Sequence, residues 1–173
     1  MRDIFEEIAG AGEGRPSRPR RRERGEPDDG LRRIFGEELP TIHWQAIEIG
    51  LLGAGVPDHN GCADGTEFWI EYKATDGWAV GLEPEQVGWI TERMIAGGRV
   101  FVITRRRHEG GPRRGLPVDD LYIHEGWDAR ALKADGLLAA PPVLHLEAQQ
   151  SGPRRWDWGR VREVLVSWKM SRR

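Results

Sequence analysis

The stretch GVPDHNGCADGTEFWIEYK, residues 55–73, decides the fold of this chain. At its centre Asp64-Gly65 is a favoured two-residue hairpin turn, because the left-handed backbone these residues tolerate suits the twist of the flanking strands. With that turn Ala63 pairs with Thr66, and the same register sets Asp58 directly across from Glu71, their Cβ atoms about 4.5–5.5 Å apart. Side chains alternate along a strand, so Trp69, Glu71 and Lys73 share one face while Phe68, Ile70, Tyr72 and Ala74 take the other. One face reads as core and the other as chemistry.

Two opposed carboxylates repel, the more so when partly buried, unless positive charge lies between them. Lys73 supplies one charge, whereas a divalent cation matches both acids and prefers their hard oxygens. A metal held by Asp58, Glu71 and the main-chain carbonyl of Tyr72 keeps positions open for water and a phosphate oxygen. Lys73 is then placed to orient or deprotonate an attacking water and to offset charge building on phosphorus. Gly55 is expected to let the backbone approach a ligand closely, and Pro57 to stiffen the path into Asp58.

Working outward, LRRIFGEEL places Leu31, Ile34 and Phe35 at helical spacing behind the capping candidates Asp28 and Asp29, and Glu38 falls among the apolar positions. TIHWQAIEI, residues 41–49, reads as a strand with Glu48 near its end, followed by a loop over residues 50–55. LEPEQVGWITERMIAGG reads as a helix with Pro84 in its first turn, Gly97-Gly98 at its end, and Val87, Ile90, Met94 and Ile95 on its buried face. RVFVIT, residues 99–104, is continuously apolar, as a strand covered on both sides should be, and the helix returns it parallel to the strand before. Beyond Arg105-Arg106-Arg107 the spacing predicts a loop near 108–117, a strand at 120–124, a helix near 128–134, a strand at 143–147 and a terminal helix near 156–168. Residues 10–30, rich in Gly, Pro and charge, read as a flexible segment after a short N-terminal helix, with a basic run from Arg15 to Arg24.

The 173 residues, 38% of them hydrophobic, suit one globular domain with a real core. A formal charge of -2 leaves nucleic-acid contact to local clusters rather than to a global field. The single cysteine, Cys62, excludes an internal disulfide framework and a Cys-rich zinc module, and reads as an inert strand residue. No apolar run approaches the roughly 20 residues that span a bilayer, which leads to the expectation of a cytoplasmic protein with no membrane partner. No glycine-rich phosphate loop ends in Lys-Ser/Thr, so no nucleotide cofactor is expected. Asp58-His59-Asn60 superficially matches the start of an HNH nuclease, but no supporting CxxC exists and the next histidine is His108.

GVPD followed by FWIEYK resembles the PD-(D/E)XK nuclease superfamily, in particular its phage-type, VRR-NUC and Holliday-junction-resolvase-like branches; the similarity covers about residues 31–107. The resemblance implies an α/β fold: a central mixed sheet with an αβββαβ restriction-endonuclease-like core, here preceded by residues 1–30 and followed by a short α/β extension over 108–173. It implies Mg2+ or Mn2+ held by Asp58 and Glu71, with Lys73 as the catalytic lysine. The family often adds an acid from its first core helix, which Glu38 matches by face, with Glu48 competing, and some branches add a glutamine that Gln86 matches. His59 departs from the apolar residue common after the aspartate. The implied activity is hydrolysis of DNA phosphodiesters, of structured or branched DNA in particular, in a bacterial or phage-infected cell, by a homodimer if two symmetric cuts are made. Arg105, Arg106, Arg107, Trp69 and Trp78 are the candidate nucleic-acid contacts. A non-catalytic DNA-binding or assembly protein with a nuclease-like fold, and a nuclease acting on RNA, are the alternatives.

Overall fold

Asp64 and Gly65 both take left-handed backbone, φ 50° and 73°, and close the hairpin between β2 (His59–Ala63) and β3 (Thr66–Thr75) in the expected register, from Ala63 opposite Thr66 to His59 opposite Ile70. The computed structural model describes residues 28–47, 55–108, 118–147 and 152–170. The N-terminal helix, the basic run and Glu48 lie outside the described residues, as does most of each loop expected near 50–55 and 108–117.

The chain is a mixed α/β protein. In sequence order its elements are α1 (Leu31–Glu38), β1 (His43–Ala46), β2, β3, α2 (Pro84–Ile95), β4 (Val100–His108), β5 (Val118–Glu125), α3 (Ala129–Asp135), β6 (Leu144–Glu147) and α4 (Trp158–Ser167). The six strands form one sheet in the order β1-β2-β3-β4-β5-β6, antiparallel throughout except where β4 runs parallel to β3. The α2 crossover makes that one parallel pair, as the continuously apolar β4 leads one to expect. β5 and β6 continue the same sheet.

Each face of the sheet carries its own core. Phe68, Ile70 and Tyr72 of β3, with Phe101 and Ile103 of β4, pack against Leu31 and Phe35 of α1 and Val161 and Leu165 of α4. Val100 and Val102 face the other way, against Val87, Ile90 and Met94 of α2 and Leu132 of α3. Trp156 is buried in the first core, and Trp158 and Trp89 lie partly buried at the margins of the first and second. His59 is buried on the α1 side, stacked on Trp44 at 4.6 Å, with Nδ1 3.3 Å from the Tyr72 hydroxyl. Burial pushes its pKa down to about 4, so the ring is neutral and fills a site where an apolar side chain would otherwise sit.

Three expectations need correction. Ile95 is 71% exposed, because the inward stripe of α2 ends at Met94 and the chain turns away at Gly97, φ 84°. The strand expected at residues 99–104 runs on to His108, since β5 pairs with it from Phe101 to His108 and sets Arg106 opposite Asp120 and Arg107 opposite Asp119. Gly55, φ 91°, is close to protein rather than shaped for a ligand: a Cβ there would lie 2.3 Å from the carbonyl oxygen of Glu85 in the first turn of α2.

Candidate active site

The site lies where the start of β2 and the middle of β3 meet the first turns of α1 and α2. Asp58 stands one residue before the paired part of β2, and its Oδ2 accepts the Tyr72 N–H at 2.9 Å, which ties it to the β3 backbone beside Glu71. Glu71 and Lys73 share the α2 face of β3, and Lys73 Nζ lies 2.7 Å from Glu71 Oε1. Asp58, Glu71 and Lys73 therefore line one cleft of about 590 Å3, with Asp28, Arg32, Tyr72 and Gln86.

Gln86 organises that cleft. The sequence Glu83-Pro84-Glu85-Gln86 forms a capping box in which Gln86 Oε1 accepts the Glu83 N–H at 2.9 Å, and the same oxygen accepts Lys73 Nζ at 3.0 Å. Its amide donates to Glu71 Oε1 at 2.5 Å. One residue thus grips both the acid and the lysine, and the Gly55 contact with Glu85 seats the turn that carries it.

Glu71 is 1% exposed, and its Oε2 is buried without a hydrogen-bond partner among the described residues. Burial, and next the charge of Asp58, raise its pKa from an ordinary 4.5 to about 7, against the opposing pull of Lys73. Asp58 is also raised, chiefly by burial, while the Tyr72 N–H, Lys73 and Arg32 act to lower it. A buried acid with one idle oxygen facing a second acid is costly in an apo protein, and that cost is removed by a cation shared between them. Among the described residues no three His, Cys, Asp or Glu side chains gather as ligands, so a metal here would rest on two carboxylates and complete its shell with main-chain, water or substrate oxygens.

The structure brings Asp58, Glu71, Lys73 and Gln86 together and leaves other candidates apart. Glu38 is half-buried at the end of α1 and does not line the cleft; from that helix Arg32, Arg33 and Gly36 do. Trp69 packs on Trp89 at 5.2 Å, with Arg93 over its ring and its indole N–H donating to Glu67. Arg105 is buried in a bidentate pair with Asp119, both contacts 2.8 Å, and also reaches Asp29. Arg107 is exposed and pairs with Asp29. Arg106 donates to the Gly77 carbonyl and stacks 3.9 Å from the centre of the Trp78 ring, itself 44% exposed. These contacts satisfy the strand arginines within the fold, and none of them borders the cleft.

Two cleft residues escaped the sequence reading in this role. Arg32 places Nη2 3.5 Å from Asp58 Oδ1, and Asp28 accepts the N–H groups of Gly30 and Arg32 at 3.1 Å each, so it caps α1 as expected while also lining the site. Asp29 does not cap; it serves the strand arginines. The chain matches no protein-family model, and no curated protein is significantly similar to it. No helix among the described residues is long and apolar enough to cross a membrane.

Proposed function

We propose that this chain is a metal-dependent nuclease of the PD-(D/E)XK type that hydrolyses DNA phosphodiester bonds. The observation that carries the reading is the cleft itself: Asp58 and Glu71 converge there with Lys73, and Glu71 keeps one buried oxygen without a partner among the described residues. The six-stranded order also supports it, since α1, the β1-β2-β3 meander, α2 and the parallel β4 occur in the αβββαβ sequence to which the motif belongs.

Asp58 and Glu71 would hold the cation, Mg2+ or Mn2+, which when bound supplies Lewis-acid polarisation of a phosphate oxygen and a more acidic water. The rest falls to the chain. Lys73, fixed by Glu71 and Gln86, keeps its ammonium at the edge of the acid pair, where it can orient a water and neutralise negative charge growing on the phosphoryl oxygens. Gln86 keeps both partners in place without adding charge. The rigid β3 backbone sets the spacing of Glu71 and Lys73, and the Tyr72 N–H fixes Asp58, so little reorganisation is needed when substrate arrives.

The experiment is incubation of the purified chain with labelled linear, flap and four-way-junction DNA and with RNA, in Mg2+, Mn2+ or EDTA. Metal-dependent cleavage of DNA that disappears in Asp58→Ala and Lys73→Ala supports the reading. Cleavage at the wild-type rate in either variant places the chemistry elsewhere, and metal-free mobility shifts with no cleavage favour a DNA-binding protein.

A further inference from the structure

Arg32 is not built into the fold as Arg105, Arg33 and Arg162 are. Arg105 has a bidentate carboxylate at 2.8 Å, Arg33 has Glu37 at 2.7 Å, and Arg162 has Asp64 at 2.7 Å. Among the described residues Arg32 has only the 3.5 Å approach to Asp58, well beyond the about 2.7–2.9 Å of a strong charge-assisted bond, and a buried Nε with no acceptor. An idle guanidinium N–H out of reach of water is a standing cost, so stability does not explain this side chain. Its backbone is nevertheless held firmly, by Asp28 at the first turn of α1, and the position one turn on is Gly36, where a Cβ would meet nothing within 4 Å. The side chain, 37% exposed, thus lines the cleft beside the acids from a fixed base.

Charge counting in the cleft points the same way. A divalent cation would balance Asp58 and Glu71, and Asp28 is engaged by two backbone N–H groups. Lys73 and Arg32 then remain as the positive groups facing any ligand, apart from Arg33, which is paired with Glu37. We propose that Arg32 is the anchor for a substrate phosphate: its guanidinium leaves Asp58 and takes the non-bridging oxygens of a nucleic-acid phosphodiester in the cleft. The planar fork suits two phosphate oxygens at once, which the lysine ammonium cannot match. This rests on the reading of the cleft as a phosphodiester site. It assigns phosphate binding to α1, the helix from which the family resemblance implies an acid at Glu38.

The test is fluorescence anisotropy of labelled duplex and junction DNA, with Ca2+ in place of Mg2+ so that binding is read apart from cleavage, over a range of salt. Arg32→Ala is expected to weaken binding roughly ten-fold and to lower the salt slope by about 0.9, as loss of one phosphate contact does. Arg32→Lys should restore the slope and only part of the affinity, and Arg162→Ala, on α4 where it pairs with the hairpin-turn Asp64, should match the wild type. Mn2+ affinity, measured without DNA, should survive in Arg32→Ala. Wild-type affinity and slope in Arg32→Ala overturn the proposal. So does a variant that keeps the slope but loses Mn2+, because Arg32 would then serve only to position Asp58. A wild-type chain that shows the Arg32-dependent slope yet cuts no nucleic acid leaves the anchor standing and removes the nuclease reading. One that binds no DNA removes both.

Discussion

Glu71→Gln removes one ionisable group and almost no volume, so it isolates what burying that acid costs. Below about pH 4.5 the carboxyl is protonated in both the folded and the unfolded chain, and contributes nothing to the difference between them. Between 4.5 and about 7 the unfolded chain has released the proton while the folded chain retains it, so each pH unit lowers stability by about 1.4 kcal/mol. Above about 7 both states are ionised and the penalty is constant, on the order of 3 kcal/mol. The attraction of Lys73 is already contained in that balance, since it works against the rise. Glutamine imitates the protonated acid at every pH. In metal-free buffer with EDTA, Glu71→Gln should therefore match the wild type near pH 4 and exceed it at pH 8 by about 3 kcal/mol, or roughly 6–12 °C in Tm for a domain of this size. Urea denaturation of both proteins at several pH values reads the difference, groups not coupled to Glu71 cancelling and the relief of Asp58 adding to the same sign. Mg2+ should raise the wild-type Tm at pH 8, where the acid is ionised, and leave the variant unchanged. A stability difference that stays flat from pH 4 to 8, or a variant less stable throughout, would refute the reasoning.

The remaining expectations concern the frame around the acids. Gly55→Ala adds a Cβ against the Glu85 carbonyl at a backbone angle alanine resists, and should cost about 2 kcal/mol or more while slowing cleavage through displacement of Gln86; denaturation and single-turnover rates check both. Gln86→Ala frees Lys73 and Glu71 from their shared grip and should lower the cleavage rate about 10–100-fold, with the fold intact by circular dichroism. Arg105→Ala strands a buried Asp119 and should destabilise by about 3–5 kcal/mol, while DNA affinity measured below the unfolding transition is unchanged; the reverse pattern would return Arg105 to the list of phosphate contacts.

The hairpin was legible because its information is local. A two-residue turn and a period-two strand fix which residues stand opposite, so the convergence of Asp58, Glu71 and Lys73 follows from nineteen consecutive positions. The parallel return of β4 was legible for the same reason, as a short apolar run after a capped helix. The length of β4 was not, because three successive arginines, candidate phosphate contacts in the sequence, look like the end of a strand until Asp119 and Asp120, on a different strand, pair with Arg105 and Arg106. Gly55 carried a visible signal, a glycine beside the motif, but the helix turn it packs against lies thirty residues downstream. The direction of α1 was the hardest to read. Its apolar stripe shows which side is buried, while the choice of flank that meets the hairpin depends on tertiary packing, so Glu38 was favoured by face and Arg32 is the residue that reaches Asp58.

Binding of Mn2+ tests the central claim most directly, because it asks about the acids without requiring that the substrate be known. Titration of Mn2+ into the wild-type chain at pH 8, followed by calorimetry and by electron paramagnetic resonance of the free ion, should show a site that weakens sharply in Asp58→Asn and is lost in the double variant Asp58→Asn/Glu71→Gln. Undiminished Mn2+ binding by the double variant, or none by a folded wild type even with DNA present, would contradict the account.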